Sequence, residues 1–497
     1  MHTDEAVHAV KAGILLDRGA YTYNPHEYHG PTLYYFSLPA IRLSGARQFR
    51  EIPGEFPLRI VPVLFGTALV LLLLLMRDGL GSQETACAAV LAAVSPALVF
   101  YSRYYIQETL LVFFTFAAVV AAWRYTRVKK LAWALAAGVA LGLMHATKET
   151  CVIAYGALLG GALLTVLWTR WIEGRRLRLG DYVHRWHAAG ALKAGAVVSL
   201  FLLTAFLSNP AATLDAVRTY GFYLSRAGSG EGGPGIHQHP WHYYLRMLVF
   251  FRSGPGPWWS EGMIVALAVA GIVEALRRRT TSGANVYLIR FLAFYTILMT
   301  IAYSLIPYKT PWCLLGFLHA MILLAGVGAI AVYRRLPGRG LRILAGALFA
   351  LGTVHLAVQA YRGSYVFDAD TRNPYVYGHT SADLLNFVRR VDDLAEIHPE
   401  HRRMTIKVVC PDSDYWPLPW YLRRYENVGY WKEAPENSDA QVIVTKPAFE
   451  EMLDLRLRGK YKKEFFGLRP EVLMMVYVQE SLWNAFIQSR ERIERDG

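Results

Sequence analysis

The chain has 497 residues, of which 54% are hydrophobic, 13% aromatic and only 18% charged. That balance excludes a soluble multidomain enzyme and points to an integral membrane protein. The formal charge of +14 does not indicate nucleic-acid binding, because the cations sit in short segments between apolar runs, as they do in cytoplasmic loops.

The chain opens MHTDEAVHAV, with an acidic pair at Asp4 and Glu5 and a histidine at His8. Further on comes YHGPTLYYFSLP, from Tyr28. Its Gly-Pro imposes a turn, and its aromatics with Leu38 predict a helix lying along the membrane interface. Ten apolar stretches follow that are candidates to cross a bilayer: 58–76, 83–101, 106–123, 131–147, 151–169, 188–207, 263–275, 287–306, 311–332 and 341–360. After them, residues 361–497 contain no spanning run. Helical spacing over 382–394 alternates with the β-rich runs MTIKVV, QVIVT and VLMMVYV, which predicts a small α/β domain. The expected organisation is a polar loop region over 1–57, an α-helical polytopic domain over 58–360 and an α/β domain over 361–497.

The loops sort into two kinds. RYTRVKK from Arg124, RWIEGRRLRLG from Arg170, RRRTTSGAN from Arg277 and YRRLPGRGLR from Tyr333 are basic and chemically bland. Alternating with them are YSRYYIQE, HATKE, a long loop over 208–261 and IPYKTPW, which carry few cations. The positive-inside rule makes the first set cytoplasmic and the second extracytoplasmic. Counting back places Asp4, Glu5 and the C-terminal domain outside as well. An exported N-terminus needs something to translocate it, so a further transmembrane helix is expected ahead of Met1.

Nearly all the reactive polar residues fall on the second face. They are Asp4, Glu5, His8, His26, Glu27 and His29, then Arg103 and Glu108, then His145, Lys148 and Glu149, then His237, His239 and His242, and finally Lys309. Ionisable groups are costly to hold at the edge of a span, so their concentration on one face argues for a site. Any one of them alone reads as a solvated loop residue. Lys309, the sole cation of IPYKTPW, is placed for a phosphate headgroup or else snorkels. His237 and His239 could chelate a metal or simply hydrogen-bond within their loop. Trp416, Trp420 and Tyr421 read more readily as docking residues than as a sugar-stacking platform. The 4 cysteines show no CxxC or Cys/His spacing, so neither a disulfide framework nor a zinc module is indicated.

Five motifs, MHTDEAVHA, NPHEYHGPTLYY, HQHPWHYYL, IPYKTPW and YWPLPWYLRRY, resemble those of the GT-C membrane glycosyltransferases. That class includes the protein O-mannosyltransferases, the lipid A aminoarabinose transferases and the flippase-activity-associated proteins of archaeal N-glycosylation loci. The resemblance implies a polyprenyl-phosphate-linked sugar as donor, a lipid, glycan or protein hydroxyl as acceptor, and an outward-facing catalytic loop. It implies Asp4 as the base, Glu5 beside it and Glu108 as a second acidic position. His239, with His29, corresponds to candidate ligands of a divalent metal. Where those enzymes have Glu-Lys-Pro this chain has His29–Gly30–Pro31, so a phosphate-binding lysine is lost and its role passes to Lys309, Arg103 or Lys148. His29, Tyr308 and Trp312 are the further substrate contacts expected. A flippase would place charges near the bilayer midplane and often shows inverted repeats. Neither is visible here, and a non-catalytic scaffold would retain the fold while tolerating loss of Asp4.

Overall fold

The structure is a computed structural model that describes residues 1–497 except 27–28, 177–178, 230–236, 278–282, 412–413, 458, 471 and 497. Glu27 of the first loop, and part of the basic loop after Arg277, therefore lie outside the described residues. The chain divides into two compact units. One comprises Met1–Asp17, Ile41–Pro57 and Gly378–Gly497, and the other Arg18–Ala40 and Leu58–Tyr377.

The larger unit is helical. Among the described residues, seven helices are long and apolar enough to cross a membrane, from Phe56–Leu80 to Arg339–Val366. Two shorter apolar helices, Leu131–His145 and Gly262–Ala275, match two more of the expected stretches. The remaining one, 83–101, breaks into Ser82–Val94 and Pro96–Tyr101. Proline cannot donate a backbone hydrogen bond, so the first helix stops at Ser95 and the second starts with Pro96 in its first turn.

Within this unit the helix Leu315–Arg335 is buried along most of its length. By contrast Arg339–Tyr361 presents Leu341, Ile343, Leu344, Leu348, Leu351 and Val354 outward. An apolar face left without a protein partner is what contact with lipid requires. The long loop over 208–261 is not irregular throughout. It contains the helices Ala212–Ser229 and Tyr243–Val249, and the small antiparallel pair β1 (Phe251–Arg252) and β2 (Trp258–Trp259).

The smaller unit is built on a five-stranded sheet in the order β4-β3-β5-β7-β6. These are β3 (Ile406–Val409), β4 (Val428–Trp431), β5 (Val442–Thr445), β6 (Tyr461–Arg469) and β7 (Val472–Gln479). The strands β3, β4 and β5 run parallel, while β7 is antiparallel to both β5 and β6. Central β5 is buried at every residue, as a strand covered on both faces must be. Leu384, Phe387, Val391 and Leu394 of the helix Asp383–Ile397 pack on one face, against Val442, Val444, Val476 and Val478. Leu453 covers Ile443, Met475 and Tyr477 on the other.

The opening stretch belongs to this unit as a helix, α1 (Thr3–Arg18). A second helix, α2 (Thr32–Leu43), covers the segment expected to be helical. Trp420 is buried, with Phe49 6.1 Å from its ring and the Arg423 guanidinium 3.7 Å above it. Trp420 is thus a packing residue of this unit.

Candidate active site

The acidic pair occupies the first turn of α1, and its two carboxylates have different surroundings. His2 precedes the helix, with the Ala6 N–H donating to its carbonyl at 2.8 Å. The His2 N–H in turn donates to Glu5 Oε2 at 3.1 Å. This is the N3 half of a capping box, in which an acidic side chain satisfies a backbone donor at the helix start. Glu5 is fully buried in that role, whereas Asp4 is only half-buried. Of the pair, Asp4 is the more exposed carboxylate.

The larger unit carries two polar clusters. In the first, residues 29–32 run antiparallel to 146–148. His29 and Lys148 form a bridge pair, Gly30 N–H donates to the Thr147 carbonyl at 3.0 Å, and Thr32 N–H donates to that of Ala146 at 3.2 Å. His29 Nδ1 lies 3.2 Å from Glu149 Oε2, and Tyr21 OH donates to the His29 carbonyl at 2.8 Å. Lys148 is buried and donates to Glu108 Oε1. Burial alone would pull its pKa down, but the carboxylates of Glu108 and Glu149 outweigh that and hold it above the ordinary lysine value. Glu108 also borders a small pocket whose walls include Leu111, Tyr303, Trp312 and Cys313.

The backbone pairing explains the missing lysine at position 30. A Cβ on Gly30 would lie 2.1 Å from the Ala146 carbonyl oxygen, a backbone atom that cannot swing aside. Any side chain there would break the pairing.

The second cluster joins the loop before Tyr243 to IPYKTPW. Gln238 and Tyr308 form a bridge pair, Lys309 N–H donates to the His237 carbonyl at 2.9 Å, and His239 N–H donates to that of Pro307 at 3.2 Å. The His237 ring lies 4.6 Å from that of Tyr308 and hydrogen-bonds Tyr377 OH. Tyr377 also meets the buried Trp312 edge-on at 5.2 Å. His239 stacks on Tyr243 at 4.0 Å. Burial, and after it the nearby Lys309 charge, lower the His239 pKa below the usual histidine value, so its ring is neutral at pH 7.

Lys309 is 1% exposed, and its ammonium donates to the Ile306 carbonyl. Burial lowers its pKa below that of an ordinary lysine. Among the described residues it pairs with no carboxylate, in contrast to Lys148. Arg103 is engaged elsewhere, donating to the Ser364 carbonyl and lying 4.3 Å over the Tyr365 ring.

Tyr377 escapes a reading of the sequence, because it lies more than sixty positions beyond the loops it completes and belongs to no motif. Among the described residues no group of three or more His, Cys, Asp or Glu side chains is arranged to hold a metal ion. His29 and His239 have different neighbours, Glu149 and Tyr243.

Residues 40–208 match the family model described as dolichyl-phosphate-mannose-protein mannosyltransferase. No curated protein matches the chain in sequence. In structure it is similar to ArnT from Cupriavidus metallidurans in the apo state, with a TM-score of 0.63 at 14% identity over 96% of this chain and 94% of that one. The same enzyme bound to undecaprenyl phosphate aligns with a TM-score of 0.61, at the same identity and coverage. The chain thus shares the fold of ArnT, and its residues 40–208 match a mannosyltransferase family model.

Proposed function

We propose that the protein transfers a sugar from a polyprenyl-phosphate donor to a hydroxyl of a lipid, glycan or protein acceptor, on the membrane face opposite its basic loops. The observation that carries the donor class is Lys309. A buried ammonium with no carboxylate partner among the described residues, in a loop between two spans, suits an anion at headgroup depth. The name of the matched family and the lipid held by ArnT, a phosphorylated polyprenol, support the same class of donor.

In this reading the acceptor oxygen attacks the anomeric carbon while Asp4 takes its proton. The bond from that carbon to the phosphate oxygen breaks, and its electron pair leaves with the lipid phosphate. Lys309 offsets the charge that develops there. A single displacement of this kind inverts the anomeric centre. Lys148 is already neutralised by Glu108, and Arg103 is held by Ser364 and Tyr365, so Lys309 is the first choice among the three cations. This reading routes no step through a metal, since among the described residues no three His, Cys, Asp or Glu side chains are grouped to hold one.

Purified protein given radiolabelled polyprenyl-phosphate sugars tests the reading. Asp4→Asn should lower turnover by about 10²–10⁴-fold, the usual worth of a positioned base, with donor binding retained. Lys309→Met should weaken donor binding with the fold intact. Wild-type turnover in the first variant would remove Asp4 from the chemistry, and unchanged donor affinity in the second would remove Lys309 from the phosphate site.

A further inference from the structure

The smaller unit holds the turn that carries Asp4 through a short polar segment, residues 378–381, at the root of its sheet. Thr3 Oγ1 donates to the Gly378 carbonyl at 2.9 Å. The Thr380 backbone N–H donates to His2 Nδ1 at 3.2 Å, and the Thr380 hydroxyl lies 3.0 Å from the same nitrogen. A nitrogen that accepts an N–H carries no proton, so the ring proton of His2 sits on Nε2. His379 covers the His2 ring with 3.8 Å between centroids. Thr380 and His379 are both buried.

Gly378 has φ +60°, the left-handed region, and a Cβ built on it would sit 3.7 Å from Asp4 Oδ2. The Asp4 carboxylate therefore lies directly over this backbone. The segment is itself anchored. Ser381 N–H donates to the Leu468 carbonyl at 2.9 Å, and Gly467 N–H donates to Asp383 Oδ2 at 2.7 Å. A hydrogen-bonded path thus runs from β6 and the helix Asp383–Ile397 to the turn bearing the carboxylate.

We propose that residues 378–381 are the positioning element for Asp4, with Thr380 as the positioning residue acting through His2. The inference rests on Asp4 being the base. Catalysis by proton removal needs the carboxylate within hydrogen-bond reach of the acceptor hydroxyl, and a displacement near 1 Å costs on the order of 10²-fold. A half-buried residue on the first turn of a helix would otherwise move with the fraying of that end. The C-terminal sheet domain supplies the constraint.

The test is a double-mutant cycle on the full chain, read as kcat and KM separately. Thr380→Val keeps the shape and the backbone donor but removes the hydroxyl. It should lower kcat about 10-fold or more with donor KM unchanged, and Thr380→Ser should restore the rate. In an Asp4→Asn background Thr380→Val should do nothing further, because there is no base left to misplace. Gly378→Ala should mimic Thr380→Val. If Thr380→Val is fully active while Asp4→Asn is not, the positioning proposal fails and the base assignment stands. An equal loss from Thr380→Val in both backgrounds marks a general structural effect and also overturns it. If Asp4→Asn keeps wild-type turnover, the base assignment fails and the positioning role falls with it.

Discussion

Two adjacent carboxylates at the start of α1 have different surroundings. Glu5 at N3 satisfies a backbone N–H and is buried, while Asp4 at N2 keeps an accessible face. Glu5→Gln weakens a charge-assisted bond at the helix N-terminus, so it should lower stability by about 0.5–2 kcal/mol, read as a fall in melting temperature. Lys309 gives a prediction in pH. Its folded pKa is lowered by burial, so its charge is lost at a lower pH than in a free lysine. Phosphate binds the charged form, and donor affinity should therefore fall as pH rises through that lowered value, at a lower pH than a free lysine would give. Lys309→Arg keeps its charge throughout and should flatten the profile. A flat wild-type profile would contradict the assignment.

At the scale of elements, short backbone pairings and a broken helix shape the second unit. Gly30→Ala forces a methyl into the Ala146 carbonyl and should cost about 1–3 kcal/mol, as overpacking does, with loss of the pairing that aligns His29 and Lys148. The break at Ser95 is secured by buried Glu261, which accepts from Ser95 Oγ at 2.5 Å, Ala97 N–H at 3.0 Å and Tyr375 OH at 2.7 Å. Burial raises its pKa, and those three bonds draw it partly back. In Glu261→Gln one acceptor oxygen becomes a donor that faces other donors, so stability should drop by about 1–3 kcal/mol, measurable by thermal unfolding in detergent. The strands β3, β5 and β7 were legible because each is a mostly apolar run rich in valine or other β-favouring residues. The strands β4 and β6 were not, because each lies at an edge of the sheet. An edge strand buries less surface, and YKKEFFGLR reads as polar.

For the whole molecule, the arrangement of basic loops predicts orientation. Single cysteines placed at Arg175 and at Asn209, in a background lacking the native cysteines, should differ in intact cells. An impermeant thiol reagent should label the second and spare the first. The opposite pattern would invert every side assignment.

The apolar runs, their alternating loop charges and the five motifs were enough to establish a membrane protein with a GT-C-like layout, since bilayer thickness and charge asymmetry act through local composition. How each polar residue is partnered was decided only in three dimensions. Lys148 and Lys309 look alike in sequence, yet one is neutralised by Glu108 and the other meets no carboxylate among the described residues. Gly30 looked like a lost lysine and proves to be a backbone contact with Ala146. The grip of Thr380 on His2 joins residues 378 positions apart. Such pairings depend on which segments the fold brings together, and no local pattern of residues encodes them.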